Sequence, residues 1–308
     1  DLPRLKTLVV VSGSSQSMLD SHFLKQGAPL YGRASFHLRL QPMSYQWFCR
    51  AMGYRAQDPV SFTRFALVGG VPHYWKLMPG GSVIRQADEL FFSSSAMLAE
   101  EPAQWLRDEG VSGHISKAAL DLIGRGVRKP NELASRLGTP QGNLSRPLNL
   151  LLDLGLAQRE LPFGESSRST KKVLYSIQDP ALSFYYGIFL PQRAGWENLG
   201  RNEKMRFLEL HASRHWENYC RQFYPGSGRY WEGKIEIDLI TRMPGSGQVI
   251  VGECKWAWLE KREEKKLIRY LQDRFWHTKF ARSLKQPSKV LFKIFSKRNL
   301  KDRNDRRV

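Results

Sequence analysis

An α/β chain of several domains is what this sequence predicts, and three observations carry that expectation. Lys234 to Trp256 holds two apolar runs of strand period, separated by a loop of Pro, Gly, Ser and Gly. Gly113 to Ile177 holds three helical patterns followed by two short β-type runs. Residues 45–110 carry helical patterning throughout.

Composition narrows the class. The 308 residues suffice for two or three small domains with their own cores, and 41% hydrophobic residues argue against disorder. Forty-eight Lys and Arg against 29 Asp and Glu give a net charge of +19. That excess favours a polyanionic partner, with nucleic acid first and an acidic membrane surface second. Cys49, Cys220 and Cys254 are too far apart for a disulfide framework or a zinc cluster, and fit a reducing cytoplasm. No apolar run is long enough for a membrane helix, and the first residues do not read as a signal peptide. A cytoplasmic protein with DNA as partner and no membrane contact is expected.

The chemistry concentrates in KIEIDLITRMPGSGQVIVGECKW. Ile235, Ile237 and Leu239 alternate with Glu236 and Asp238, and Val249-Ile250-Val251 runs into Glu253-Cys254-Lys255. Strand alternation sends Glu253 and Lys255 to one face and Cys254 to the other. If the strands pair, Asp238 lies beside Glu253. Two carboxylates can hold a hard cation such as Mg²⁺, which activates water and neutralises a scissile phosphate. A lysine two residues on can stabilise that phosphate. The stretch resembles the core of PD-(D/E)XK nucleases, with Asp238, Glu253 and Lys255 at the motif positions. By that resemblance Asp238 and Glu253 are Mg²⁺ ligands, Lys255 is catalytic, and Glu217 in FLELHASRHWENYC supplies the further glutamate. An ordinary amphipathic hairpin with solvated charges is the competing explanation.

Upstream, Leu8 to Val11 followed by Ser12-Gly13-Ser14-Ser15 reads as a buried strand entering a polar turn. A helix through Met18 to Phe23 and a short strand over His37 to Leu40 are expected next. Gly13-Ser14, the PLYGR segment Pro29 to Arg33, and Leu40 to Ser44 resemble archaeal-type P-loop ATPases of the AAA-related and STAND groups. That resemblance implies Ser14 as a sensor and Arg33 as a nucleotide or subunit contact. It also places Gly70 and Pro72, in Gly69-Gly70-Val71-Pro72, in a lid near the nucleotide. A surface strand, and a helix–helix turn with Pro starting the second helix, explain the same residues without a nucleotide. No GxxxxGK[ST] occurs, and Asp88-Glu89 follows polar residues, which makes a poor Walker B. The chain therefore resembles the C-terminal two-thirds of such an ATPase. ATP is expected as a ligand only if the missing N-terminal P-loop segment is supplied; in a further reading the ATPase remnant senses nucleotide through a partner chain.

Between Gly113 and Leu190, Ile115, Ala119, Leu120 and Ile123 form one helical face. Lys129 to Gly138 forms a second helix. A third follows Thr139 as N-cap, with Leu144, Leu148, Leu151 and Leu152 apolar and Pro147 expected to bend it. Leu156 to Arg159 and Val173 to Ile177 complete a winged helix-turn-helix. Asn143, Ser145 and Arg146 would face a DNA groove, and Arg168, Lys171 and Lys172 would touch phosphate from the wing; a protein partner is equally compatible. Beyond it, a helix over Lys204 to Gln222, strands near Gly228 to Glu232, Lys234 to Thr241 and Val249 to Lys255, a helix over Glu260 to Phe280 and a strand over Val290 to Phe295 follow the restriction-endonuclease-like order. EID, VGECKW and the preceding winged helix together resemble the domain of unknown function that caps archaeal ATPases. The expected division is 1–50 for the end of an ATPase α/β core, 51–110 for a helical lid, 111–195 for the winged helix, 196–295 for the nuclease-like domain and 296–308 for a basic tail. Two functions follow: a DNA-associated ATPase-family protein with Mg²⁺-dependent phosphodiester cleavage, or a catalytically inactive nucleic-acid- or protein-binding module regulated by an ATPase domain, with homo-oligomerisation open in both.

Overall fold

The computed structural model describes residues 9–13, 22–23, 26–38, 40–166, 172–284, 286 and 289–300. Two strands are expected near the N-terminus, and the described residues of those runs, Val9 to Val11, His37, Leu38 and Leu40, form none. Val9, Val10 and Val11 are 62%, 77% and 59% exposed, and Leu38 and Leu40 are 72% and 83% exposed. A strand exists only when its backbone groups are paired, and among the described residues no strand lies beside either run. Ser14 and most of the Met18–Phe23 helix lie outside the described residues. Arg33 is described and exposed, in a turn where its N–H donates to Leu30 O at 3.1 Å.

The helical region begins with α1 (Tyr45–Met52), ended by Gly53 at φ 69°. Asp58 accepts from Val60 N to start α2 (Pro59–Val68). Gly69 ends α2 at φ 66°, and a Cβ on Gly70 would stand 2.3 Å from Met43 O. Pro72 then opens α3 (Pro72–Leu77), and Trp75 Nε1 donates to Gly69 O at 2.8 Å. Gly70 and Pro72 thus stand in a tight helix–helix turn. Helix α4 (Val83–Ala87) runs on through a wide turn to Phe92, and α5 (Met97–Asp108) follows. Asp88 accepts from Trp196 Nε1 at 2.5 Å and Lys204 Nζ at 3.2 Å, so it is a structural anchor.

Next come α6 (His114–Gly124), α7 (Pro130–Arg136), a 3₁₀ turn over Gln141–Leu144, α8 (Ser145–Asp153) and a two-stranded antiparallel hairpin. The hairpin strands are β1 (Gln158–Glu160) and β2 (Leu174–Ser176). Three sequence expectations change here. Thr139 is not the cap of the third helix, which starts after the 3₁₀ turn. Pro147 is therefore in the first turn of α8, where a missing N–H breaks no helical bond. Ile115 is 36% exposed, and Ser116 takes the buried position beside Ala119, Leu120 and Ile123. Leu144, Leu148 and Leu151 are buried as the spacing requires.

Helix α9 (Pro180–Phe184), capped by Asp179, continues through Phe189 and leads to α10 (Arg201–Gln222). The sheet then forms from β3 (Gly228–Glu232), β4 (Ile235–Arg242), β5 (Val249–Cys254) and, after α11 (Lys261–Trp276) and α12 (Lys279–Arg282), β6 (Val290–Phe295). Its spatial order is β3-β4-β5-β6, antiparallel except for the parallel β5–β6 pair. The long helix expected over Glu260 to Phe280 breaks at Thr278, whose hydroxyl caps α12 by accepting from Ala281 N. One core runs from Tyr45 through α10 to the sheet face bearing Leu239, Ile250 and Cys254. A second, with Ile237, Ile240, Leu271 and Phe275, lies on the α11 side. The fold is mixed α/β with a helix on each side of a four-stranded sheet. No helix among the described residues is long and apolar enough to cross a membrane.

Helix α10 carries two buried imidazoles, His211 and His215, with ring centroids 4.6 Å apart. His211 Nε2 lies 2.7 Å from Ala66 O on α2, whereas His215 Nε2 has no hydrogen-bond partner. Burial, His215 and Arg214 hold the His211 pKa well below its ordinary value, and burial and Arg214 push that of His215 down to about 4. Below the ordinary value of 6.5 the unfolded chain takes up protons that the folded one refuses. Their contribution is complete above that pH and is lost as pH falls toward about 4. Asp179, pushed up to about 6 mainly by burial, acts in the opposite direction. His215→Leu is expected to reduce the drop in melting temperature on acidification, since it removes an imidazole with an unpaired nitrogen. An unchanged pH profile in thermal unfolding would locate the acid sensitivity elsewhere.

Candidate functional site

Strands β4 and β5 pair Leu239 with Gly252 and Arg242 with Val249, so the register continued by one step sets Asp238 opposite Glu253. On its other side β4 is irregular: Gly228 faces Ile240 but Tyr230 faces Ile237. Asp238 and Leu239 together oppose Arg229, a β-bulge of the kind that re-aims a side chain. The bulge breaks the simple alternation expected over Ile235 to Leu239. Ile237 and Ile240 both enter the core under α11, and Leu239 enters the other. The Asp238 carboxylate accepts from Cys254 N at 2.7 Å.

Glu253 is 8% exposed. Its Oε1 accepts from Lys255 Nζ at 2.7 Å, so these two side chains share a side as alternation requires. Its Oε2 is buried without a hydrogen-bond partner, and an Arg274 guanidinium nitrogen stands 3.6 Å from it. Cys254 points the other way, into the core with Cys220, and all three cysteines are free thiols. Lys255 N donates to Phe295 O at 2.7 Å, and the same oxygen accepts from Trp216 Nε1 at 3.0 Å. That shared carbonyl fixes the end of β5 to β6 and to α10.

Burial, Glu217 and Glu253 push Asp238 up to about 7, against the opposing effects of the Cys254 amide and Lys255. Burial alone would lower the Lys255 ammonium, but its bond to Glu253 and the charges of Glu253, Asp238 and Glu217 outweigh that and raise it. Like charges crowded in a poorly solvated place are what a cation relieves.

Glu217 is close enough to act on Asp238 by charge, yet its carboxylate is bound by Arg229 and lies 4.0 Å from Arg221. The sequence placed it as a catalytic helper; Arg229, nine-tenths buried and bonded also to Glu236 at 2.9 Å, occupies it. Arg221 donates to the Asp238 carbonyl at 2.9 Å and stands 3.5 Å from Glu160, which binds Arg128 at 2.7 Å. These arginines link the β1–β2 hairpin to the bulge, and sequence reasoning missed all of them. Arg221 falls four residues after Glu217, the spacing of a helical ion pair, which was the one available signal. Among the described residues no group of three or more His, Cys, Asp or Glu side chains could hold a metal ion. Asp238 and Glu253 therefore stand as a pair, which is enough carboxylate for a cation that keeps several waters.

The second group of expected site residues lies at the start of α8. Asn143, Ser145 and Arg146 are exposed there, and Ser145 and Arg146 line an open groove of about 1010 Å³ with His114 and Ser116. Lys172 is 3.7 Å from Glu165, while Arg168 and Lys171 lie outside the described residues.

The family match falls on the sheet unit. Residues 199–267 match DUF234, described as archaeal and bacterial proteins of unknown function. That span holds α10, β3 to β5 and the start of α11, and so includes Glu217, Asp238, Glu253 and Lys255. The uncharacterized protein MJECL04 of Methanocaldococcus jannaschii is 25% identical over 298 residues, an alignment covering 88% of this chain. The aligned region spans 64% of that relative's own length. No solved structure matches the chain.

Proposed function

We propose that this chain is a nucleic-acid phosphodiesterase module dependent on Mg²⁺, with a PD-(D/E)XK-like sheet following a winged-helix-like unit. The observation that carries this is the pairing of Asp238 and Glu253 across β4 and β5, with Lys255 bonded to Glu253 and Glu253 Oε2 left without a donor. Asp238 and Glu253 would hold the cation, which when bound supplies charge neutralisation at the phosphate and a more acidic water. Lys255, 42% exposed at its side chain, would turn from Glu253 to a phosphate oxygen. Arg221 holds the backbone of Asp238, and the bulge keeps its carboxylate at the β5 end. The charge of +19 and the exposed Asn143, Ser145 and Arg146 supply the attraction for a nucleic-acid backbone. In this proposal a P-loop ATPase segment, in cis or in a partner, is where nucleotide would act.

The test with a readout apart from activity is thermal unfolding with and without Mg²⁺ or Mn²⁺. A ligand that binds only the folded state raises the melting temperature. The wild type is expected to gain stability with millimolar cation and Glu253→Gln to gain none. Equal shifts in both proteins would remove Glu253 from the site. A second reading, a binding module without cleavage, is favoured by the Arg229–Glu217 pair, which takes the third carboxylate out of use.

A further inference from the structure

Helix α11 presents a stripe that the carboxylate pair and the winged-helix-like unit leave unexplained. Arg262, Lys266, Tyr270 and Arg274 recur every four residues, so they rise along one side of the helix about 6 Å apart. Arg262, Lys266 and Tyr270 are exposed, while Leu271 and Phe275 turn inward to the core. Tyr270 is 59% exposed, and its hydroxyl has no hydrogen-bond partner among the described residues. Its ring has the Arg274 guanidinium 5.1 Å from its centroid, and that same guanidinium stands 3.6 Å from Glu253 Oε2. One arginine thus separates an open aromatic face from the candidate carboxylate. A further exposed ring, Trp258 at 61%, follows Lys255 by three residues.

We propose that this stripe is a binding track for single-stranded nucleic acid, with Tyr270 as the platform on which an unpaired base stacks beside the reacting phosphate. Basic side chains that follow a backbone, interleaved with rings that accept any base face, are how proteins hold single strands without reading sequence. An intact duplex offers the stripe phosphates but no base face, because its bases are already stacked. The track therefore selects single strands, overhangs or unpaired junctions over blunt duplex. It rests on the nuclease-like reading for the word "reacting", and on α11 alone for binding.

The test is fluorescence anisotropy of the whole chain in metal-free buffer, with a labelled oligothymidine and a blunt duplex of equal length. Wild type is expected to bind the single strand more tightly. Tyr270→Ala should weaken single-strand binding on the order of 10-fold, the scale of one lost base–aromatic stack, and leave duplex binding unchanged. Tyr270→Phe should retain the wild-type preference, since it keeps the ring. Equal affinity of Tyr270→Ala and wild type for the single strand overturns the track, as does polyglutamate competing as well as unlabelled oligothymidine. Binding is read without metal, so a wild type that cleaves nothing once Mg²⁺ or Mn²⁺ is added sinks the phosphodiesterase reading and leaves this result standing. Cleavage of blunt duplex and single strand at one rate, unaffected in Tyr270→Ala, sinks the track and leaves the phosphodiesterase.

Discussion

Asp238→Ala and Glu253→Ala are each expected to abolish Mg²⁺- or Mn²⁺-dependent cleavage of DNA while leaving DNA affinity nearly intact. Each substitution removes half of the only carboxylate pair facing across β4 and β5, and neither residue belongs to the basic surface that attracts phosphate. Lys255→Ala is expected to lose roughly 10²–10³-fold in rate, the scale of one preorganised donor at developing charge. Lys255→Arg should recover little, because a planar guanidinium does not replace a compact ammonium. Glu217→Ala is the informative contrast. Since Arg229 already holds Glu217, its loss should leave Arg229 bonded to Glu236 and reduce the rate far less than loss of Glu253. The measurement is single-turnover cleavage on duplex, nicked, branched and single-stranded substrates. Activity that persists in Glu253→Ala would sink the metal assignment; a wild type silent on every substrate would favour the binding module.

What could be read from the residues was the part set by short-range pattern. Period-2 runs either side of a Pro-Gly-Ser-Gly loop defined β4 and β5, and E-x-K placed Glu253 and Lys255 on one side. The bulge at Asp238 left no trace in the sequence, because it depends on how β3 lies against β4. The buried Arg229 and the partly buried Arg274 were equally hidden: both look like solvated charges until tertiary packing brings Glu217 and Glu253 to them. The N-terminal valines show the opposite failure. Leu8 to Val11 has strand propensity, but propensity without a paired neighbour leaves Val9 to Val11 exposed. Pro147 misled for a local reason, since its effect depends on whether it stands in the first turn or the interior, and the 3₁₀ turn decides that.

Trp216→Ala is expected to destabilise the chain by about 3–5 kcal/mol, as for a large aromatic removed from a packed core. Trp216 is 1% exposed and meets Phe62, Tyr219 and Trp256, so it joins α2 to the end of the sheet. Its indole N–H also donates to Phe295 O, the oxygen that accepts Lys255 N. Trp216→Phe separates the two contributions. The ring is mostly kept, and Phe295 O is still satisfied by Lys255 N, so no buried carbonyl is stranded. A loss of roughly 1–2 kcal/mol is expected from the missing bond and reduced packing. Urea unfolding gives both values. If the sheet end is positioned chiefly by the Lys255–Phe295 backbone bond, Trp216→Phe should keep the Mg²⁺-induced rise in melting temperature. Loss of that rise in a protein that remains folded would mean that the indole N–H, reaching from α10, sets the geometry at Glu253 and Lys255.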